Sequence, residues 1–186
     1  MFRPRVIPVL LLKENGLVKS IKFKKYNYIG DPINAVKIFN DLKSDELVFL
    51  DINASKENRL ISLDFVKKVS EEANMPFAVG GGIKSLDDIH KVISSGAEKV
   101  IICSEAVINP DFIKEASYSF GTSTVSVCID YKKTFLNNNL VFTLSGNKKS
   151  RYSPLEFSRL MQDKGAGEII LQSISRENDR RGPCSM

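Results

Sequence analysis

Two aspartates stand where strand patterns end. Val48-Phe49-Leu50-Asp51 and Ser126-Val127-Cys128-Ile129-Asp130 each run apolar and then finish in a carboxylate. If these strands are parallel, their C-terminal ends share one rim, and in α/β barrels that rim carries the chemistry. A carboxylate there is placed to give or take a proton. The first strand pattern, Val6-Ile7-Pro8-Val9-Leu10-Leu11-Leu12, brings only apolar side chains to the same rim.

A second feature is Val79-Gly80-Gly81-Gly82-Ile83, which joins a strand pattern to a helix beginning near Ser85. Three glycines remove side chains, so backbone N–H groups can approach an anion, and the helix N-terminus adds partial positive charge. Gly81 and Gly82 are therefore candidates for a phosphate cradle, with the Ser104 hydroxyl on the neighbouring loop. A tight turn with no ligand would use the same residues. Asp51 has two readings as well, as a ligand contact or as a loop-holding hydrogen-bond acceptor.

The elements that must position these residues alternate between strand and helix. Strand patterns cover Val6–Leu12, Glu46–Asp51, Phe77–Val79, Lys99–Cys103, Thr124–Asp130 and Glu168–Gln172, as near-continuous apolar runs suited to parallel strands buried on both faces. Asp31-Pro32 opens a helix with Ala35, Ile38, Phe39 and Leu42 as its apolar stripe. Phe65, Val66, Val69 and Ala73 make a second stripe. Ser85-Leu86-Asp87-Asp88 resembles a capping box, and Asn109-Pro110 and Ser153-Pro154 open two more helices. Gly96, Gly121 and Gly165 mark helix ends.

Two inserts follow strand ends and would decorate the rim. Gly16–Tyr28 and Lys133–Ser145, the latter around Asn137-Asn138-Asn139, both read as hairpins. The order favours a parallel α/β sheet with right-handed crossovers. From 175 to 186 the chain is polar and aperiodic, so residues 1–174 are the expected folded unit and 175–186 a disordered tail. Six strands would leave unpaired edges on the first and the last.

Composition bounds the function. The 186 residues carry 42% hydrophobic and 26% charged residues, ordinary for a soluble domain. No apolar run reaches the roughly 20 residues of a membrane span, and no signal peptide is visible, so a cytoplasmic location is expected. The net charge of +5 is scattered over helical faces, and no aromatic–basic motif points to nucleic acid. Cys103 and Cys128 read as reduced core thiols, and Cys184 has no partner spacing. One histidine, His90, reads as surface, so neither a metal nor a cofactor is expected.

Together these stretches resemble HisF, the cyclase subunit of imidazole glycerol phosphate synthase. The resemblance rests on Arg5-Val6-Ile7-Pro8, Gly30-Asp31-Pro32, Asp45 to Ile52, Val79 to Ile83, Gly96 to Val100, Asn109-Pro110, Ile129-Asp130 and Gly165 to Ile169, in order along the chain. It implies a (β/α)8 TIM barrel, incomplete here, with about six strands and five helices where a whole barrel takes about 250 residues. The chain then reads as a C-terminally truncated copy.

The family closes an imidazole ring with ammonia from a HisH glutaminase, using two aspartates as acid and base. The resemblance puts Asp130 at the second of these and Leu11 at the first. Lys19 matches a lysine that clamps substrate phosphate, and Gly82 matches a phosphate-site glycine. Cys103 and Ser104 stand where the family has asparagine and threonine. At the opposite rim the family admits ammonia through a ring of charges, matched here by Arg5, Glu46, Lys99 and Glu168.

A kept gate with a lost acid is similar to HisF-like paralogues of surface-polysaccharide gene clusters. That implies a subunit conducting ammonia from a HisH-like glutaminase to an ATP-dependent sugar amidotransferase, with a phosphorylated small-molecule ligand at the rim and an acetamidino sugar of a lipopolysaccharide or related glycan as product. Two alternatives stand beside it. One is a histidine-pathway cyclase with another residue replacing the acid, and the other is an inactive truncated remnant.

Overall fold

The computed structural model describes residues 4–14, 16–135 and 138–177. The chain opens with three strands, β1 (Val9–Lys13), β2 (Gly16–Ile21) and β3 (Lys25–Gly30), followed by helix α1 (Pro32–Asp41). Then come β4 (Leu47–Asp51), α2 (Leu63–Glu72), β5 (Phe77–Gly80), α3 (Leu86–Ser94) and β6 (Lys99–Ile102). A short α4 (Ser104–Ile108) precedes α5 (Asp111–Phe120) and the long strand β7 (Val125–Lys133). The second half of the chain ends with β8 (Asn139–Thr143), β9 (Lys148–Lys149), α6 (Pro154–Asp163) and β10 (Glu168–Ser173).

Six of these strands are parallel neighbours in chain order: β1, β4, β5, β6, β7 and β10. That is the sequential winding of a partial (β/α) barrel, with helices on the outside. The inserts are hairpins, as their alternation predicts. β2 pairs antiparallel with β3, and β8 with both β7 and β9. The tip of the second hairpin, including Asn137, lies outside the described residues, as does Cys184.

All five residues of β4 are buried, because alternate side chains feed two separate cores. Leu47 and Phe49 face the helices, where Phe49 meets Phe65 and Phe77 edge-on at centroid distances of 5.3 and 6.5 Å. Val48 and Leu50 face inward and join Ala78, Ile101 and Cys128, with Ile7, Leu11, Cys103 and Ile170 packed around them. The inner cluster fills the middle of the barrel between its two rims.

Several expectations need correction. β1 begins at Val9 rather than Val6; before it the Pro8 carbonyl accepts from the Val48 amide at 3.0 Å and the Val6 amide donates to the Asp45 side chain instead of to a strand. The α1 stripe is met in part, with Ala35 and Phe39 packed against the core. Pro32 and Val36 are buried, whereas Ile38 and Leu42 are 58% and 67% exposed. The first-strand edge is not open along its whole length, since Leu11, Leu12 and Lys13 pair with Val18, Leu17 and Gly16 of β2.

The chain also stays ordered past residue 174. Ile174–Arg176 forms a 3-10 turn with Ile174 buried, and Glu177 accepts hydrogen bonds from the Ser20 hydroxyl and from the Phe23 amide, the latter at 2.8 Å. Residues 178–186 lie outside the described residues. The capping box of α3 is as read, with Ser85 and Asp88 each accepting from the other's backbone N–H. No helix among the described residues is long and apolar enough to cross a membrane.

Candidate functional site

A cavity of about 170 Å³ opens at the C-terminal ends of the parallel strands. Leu11, Asp51, Gly81, Gly82, Ser104 and Asp130 all line it, although they come from five different strand ends. The β2–β3 hairpin covers one side with Ser20, Phe23 and Tyr26. Its turn is strained, with Lys22 and Phe23 both in the left-handed region at φ 51° and 58°. The two hydrogen bonds from Ser20 and Phe23 to Glu177 hold that turn against the cavity.

Asp130 is the acid whose environment is most altered. Burial pushes its carboxyl up from 3.8 to about 7; the Cys128 thiol at 3.9 Å opposes this, and the charge of Glu177 adds to it. A carboxyl of that value exchanges protons near neutrality, as a general acid or base must. Leu11 faces the same cavity from β1, opposite Leu50 in register and packed on the inner cluster. A leucine there leaves that wall without a proton donor.

Asp51 holds the loop after β4. Its Oδ1 accepts from the amides of Asn53 and Ala54 at 3.0 and 3.1 Å, and its Oδ2 accepts from Arg59 Nη1 at 2.6 Å. This geometry favours the loop-holding reading, because the carboxylate oxygens are already engaged.

The glycines serve that same loop. A Cβ on Gly82 would lie 1.7 Å from the Arg59 carbonyl oxygen, and one on Gly81 would lie 2.8 Å from Asp51 Cβ. Gly82 also has φ +72°, which favours glycine. At the start of α3, the amides of Lys84 and Ser85 already donate to Asp88 Oδ2 at 3.0 Å each. An anion in this cradle would therefore depend on the earlier loop amides and on Ser104. That hydroxyl accepts from the Leu144 amide at 3.1 Å and keeps its own proton to donate.

Lys19 is not brought to the cavity. It is exposed on β2 opposite Asn27, while its neighbour Ser20 is buried and turned inward, as strand alternation requires. Cys103 is also not a plain core thiol, because it is part-exposed and lines the cavity beside buried Cys128. The hairpin latch at Glu177 has no signal in local sequence, since it depends on a contact 157 residues away. Among the described residues no group of three or more His, Cys, Asp or Glu side chains could hold a metal ion.

The opposite rim carries four charges that close into a ring. Arg5 reaches Glu168 at 2.9 Å and Glu46 at 3.5 Å. Lys99 reaches Glu46 at 3.0 Å and Glu168 at 3.1 Å. Each cation touches both acids, so the ring is closed around the barrel axis. The Glu46 side chain is only 4% exposed, and two cations offset its desolvation. Burial raises the Glu168 carboxyl, but Lys99 and Arg5 outweigh burial and hold it below the ordinary glutamate value. Immediately inside the ring lies the apolar cluster of Val48, Ala78 and Ile101.

Comparison with known proteins agrees with this architecture. The family model described as "Histidine biosynthesis protein" matches residues 5–184. A Leptospira interrogans protein provisionally named imidazole glycerol phosphate synthase subunit HisF is 43% identical over 98% of this chain and 72% of its own length. A Pseudomonas aeruginosa protein provisionally named subunit hisF2 of that synthase is also 43% identical, with the same coverage. The imidazole glycerol phosphate synthase subunit HisF of Alkaliphilus metalliredigens is 39% identical, again over 98% and 72%. With similarity of that extent running through six strands wound in barrel order, the chain belongs to the histidine biosynthesis protein family, as a HisF-like member.

Proposed function

We propose that this chain is the barrel subunit of a glutamine amidotransferase that conducts ammonia rather than consuming it. A HisH-like glutaminase would dock at the charged rim, and an ATP-dependent sugar amidotransferase would take the ammonia for glycan synthesis. One observation carries this reading: a closed Arg5–Glu46–Lys99–Glu168 ring lies below an apolar interior and a cavity whose first-strand wall is Leu11. Neutral ammonia enters an apolar passage at small cost. An ammonium ion would lose its hydration without a partner, which costs far more. The ring can part at its most exposed member, Arg5, which is 55% exposed.

A histidine-pathway cyclase is the second reading. It is favoured by Asp130, whose carboxyl near 7 suits proton transfer, and by relatives named as imidazole glycerol phosphate synthase subunits. It would turn the phosphoribulosyl substrate and ammonia into imidazole glycerol phosphate and the aminoimidazole carboxamide ribotide.

One experiment separates the two. Purified chain is mixed with its glutaminase, and glutamine hydrolysis and imidazole glycerol phosphate formation are followed together. Conduction predicts stimulated glutamine hydrolysis with no imidazole product, uncoupled by Lys99→Met. Substantial cyclase turnover with Leu11 in place would overturn it. A gain of about 10²-fold or more in Leu11→Asp would show that the rest of the cyclase site is intact.

A further inference from the structure

Cys103 and Cys128 sit side by side inside the cavity. β6 and β7 run parallel with Ile102 opposite Val127 as their last pair, and Cys103 and Cys128 follow these two residues directly. Cys128 belongs to the buried inner cluster, Cys103 packs against it, and both line the cavity. Cys128 also donates to Asp130 at 3.9 Å. Both are free thiols in the structure. Neighbouring strands lie about 4.8 Å apart, within the roughly 4.4–6.8 Å over which Cα atoms are bridged by a disulfide.

We propose that Cys103 and Cys128 form a reversible disulfide within this cavity when a peroxide reaches it. Cys103 is part-exposed to the cavity and Cys128 is buried, so Cys103 meets the oxidant first. The Cys103 thiol sulfur attacks the peroxide O–O bond and becomes a sulfenic acid, and one water leaves. The Cys128 sulfur then displaces the sulfenic oxygen as a second water, and the S–S bond forms. Two thiols are oxidised and one peroxide is reduced. A dithiol reductant restores both thiols and is itself oxidised to a disulfide.

The bond would change the rim chemistry. Cys128 loses the S–H that donates to Asp130, and the cavity wall is cross-linked beside Ser104. The proposal rests on the cavity geometry alone and is independent of which reaction the rim serves. Two neighbouring thiols could also pack simply as small apolar groups, which is the outcome the test must distinguish.

The test uses the whole chain with Cys184→Ser, so that only the two cavity thiols remain. The reduced protein is treated with hydrogen peroxide, its thiols are counted after denaturation, and unreduced peptides are mapped by mass. Expected is the paired loss of both thiols, a mass lower by two hydrogens, one linked peptide joining 103 and 128, and full recovery with dithiothreitol. In Cys128→Ser, dimedone should instead trap a sulfenic acid at Cys103. Retention of both thiols under peroxide that oxidises free glutathione would overturn the proposal. So would sulfinic acid at Cys103 with Cys128 unreacted, or only intermolecular disulfides. If Cys184→Ser does not fold, the same peptide map on the unaltered chain gives the answer, because linked peptides identify the pair.

Discussion

Arg5 Nη2 lies 2.9 Å from Glu168 Oε1 across 163 residues of chain, joining the segment that leads into the first parallel strand to the start of the last. Those strands do not pair with each other. The ion pair therefore spans the seam at one rim, while Glu177, held by Ser20 and Phe23, spans it at the other. The barrel is tied at both ends of its open side without a ladder between them.

The ring members should differ sharply in stability cost. Glu46→Gln removes the buried acid shared by Arg5 and Lys99, and should cost about 3 kcal/mol because a largely buried lysine loses a partner. Arg5→Ala, at an exposed position, should cost about 1 kcal/mol or less. Urea unfolding of both variants checks the order. The depressed Glu168 carboxyl adds a pH signature. Its stabilisation is present above its unfolded value of about 4.3 and lost as pH falls through the lower folded value.

Asp130 should act in the opposite sense. Its folded carboxyl is raised to about 7, so the unfolded chain ionises first as pH rises. Stability from this group therefore falls between about pH 4 and 7 and is flat above, by up to about 4 kcal/mol. Asp130→Asn should remove that slope and stabilise the protein at pH 8. Thermal melts from pH 4 to 8 test it, and an unchanged slope in the variant would count against the assignment.

Gly82→Ala should destabilise by about 3 kcal/mol or more, because its methyl group meets the Arg59 carbonyl and the residue has positive φ. Binding of inorganic phosphate, measured by calorimetry, should fall with it. Ser104→Ala should weaken phosphate with little loss of stability, since among the described residues its hydroxyl receives one amide, that of Leu144.

Glu177→Gln should loosen the hairpin roof. The charge-assisted bonds to Ser20 and the Phe23 amide weaken, by about 1 kcal/mol or more. Limited proteolysis should then cut faster at Lys22 and Lys24. The Asp130 carboxyl should move down, because a negative neighbour is gone, yet remain raised because burial is its main cause. NMR titration of Asp130 follows the shift.

Much of the fold was legible in short-range pattern. Leu47–Asp51 reads as a two-faced buried strand from its apolar run, and Ser85 with Asp88 reads as a capping box from spacing. Both are local, because one ladder or one turn satisfies them. The α1 stripe was read in part: Ala35 and Phe39 pack against the core, but Ile38 and Leu42 are exposed, because spacing finds an apolar side but not the side that meets the sheet, which Val36 decides. Lys19 matched by position but faces outward, since β2 pairs in a register that turns Ser20 in.

The order of residues in the chain determined the strand–helix alternation, the carboxylates at two strand ends, the absence of one at the first, and the four charges at strand starts. Those follow from polarity and spacing over a few residues. Only the tertiary structure decided that the charges close into a ring, that Asp51 is consumed by its own loop, that Cys103 and Cys128 line one cavity beside Asp130, and that Glu177 reaches back to Ser20. Such contacts join residues far apart in the chain. They exist only once strand curvature and register bring both ends of the sheet around a common axis.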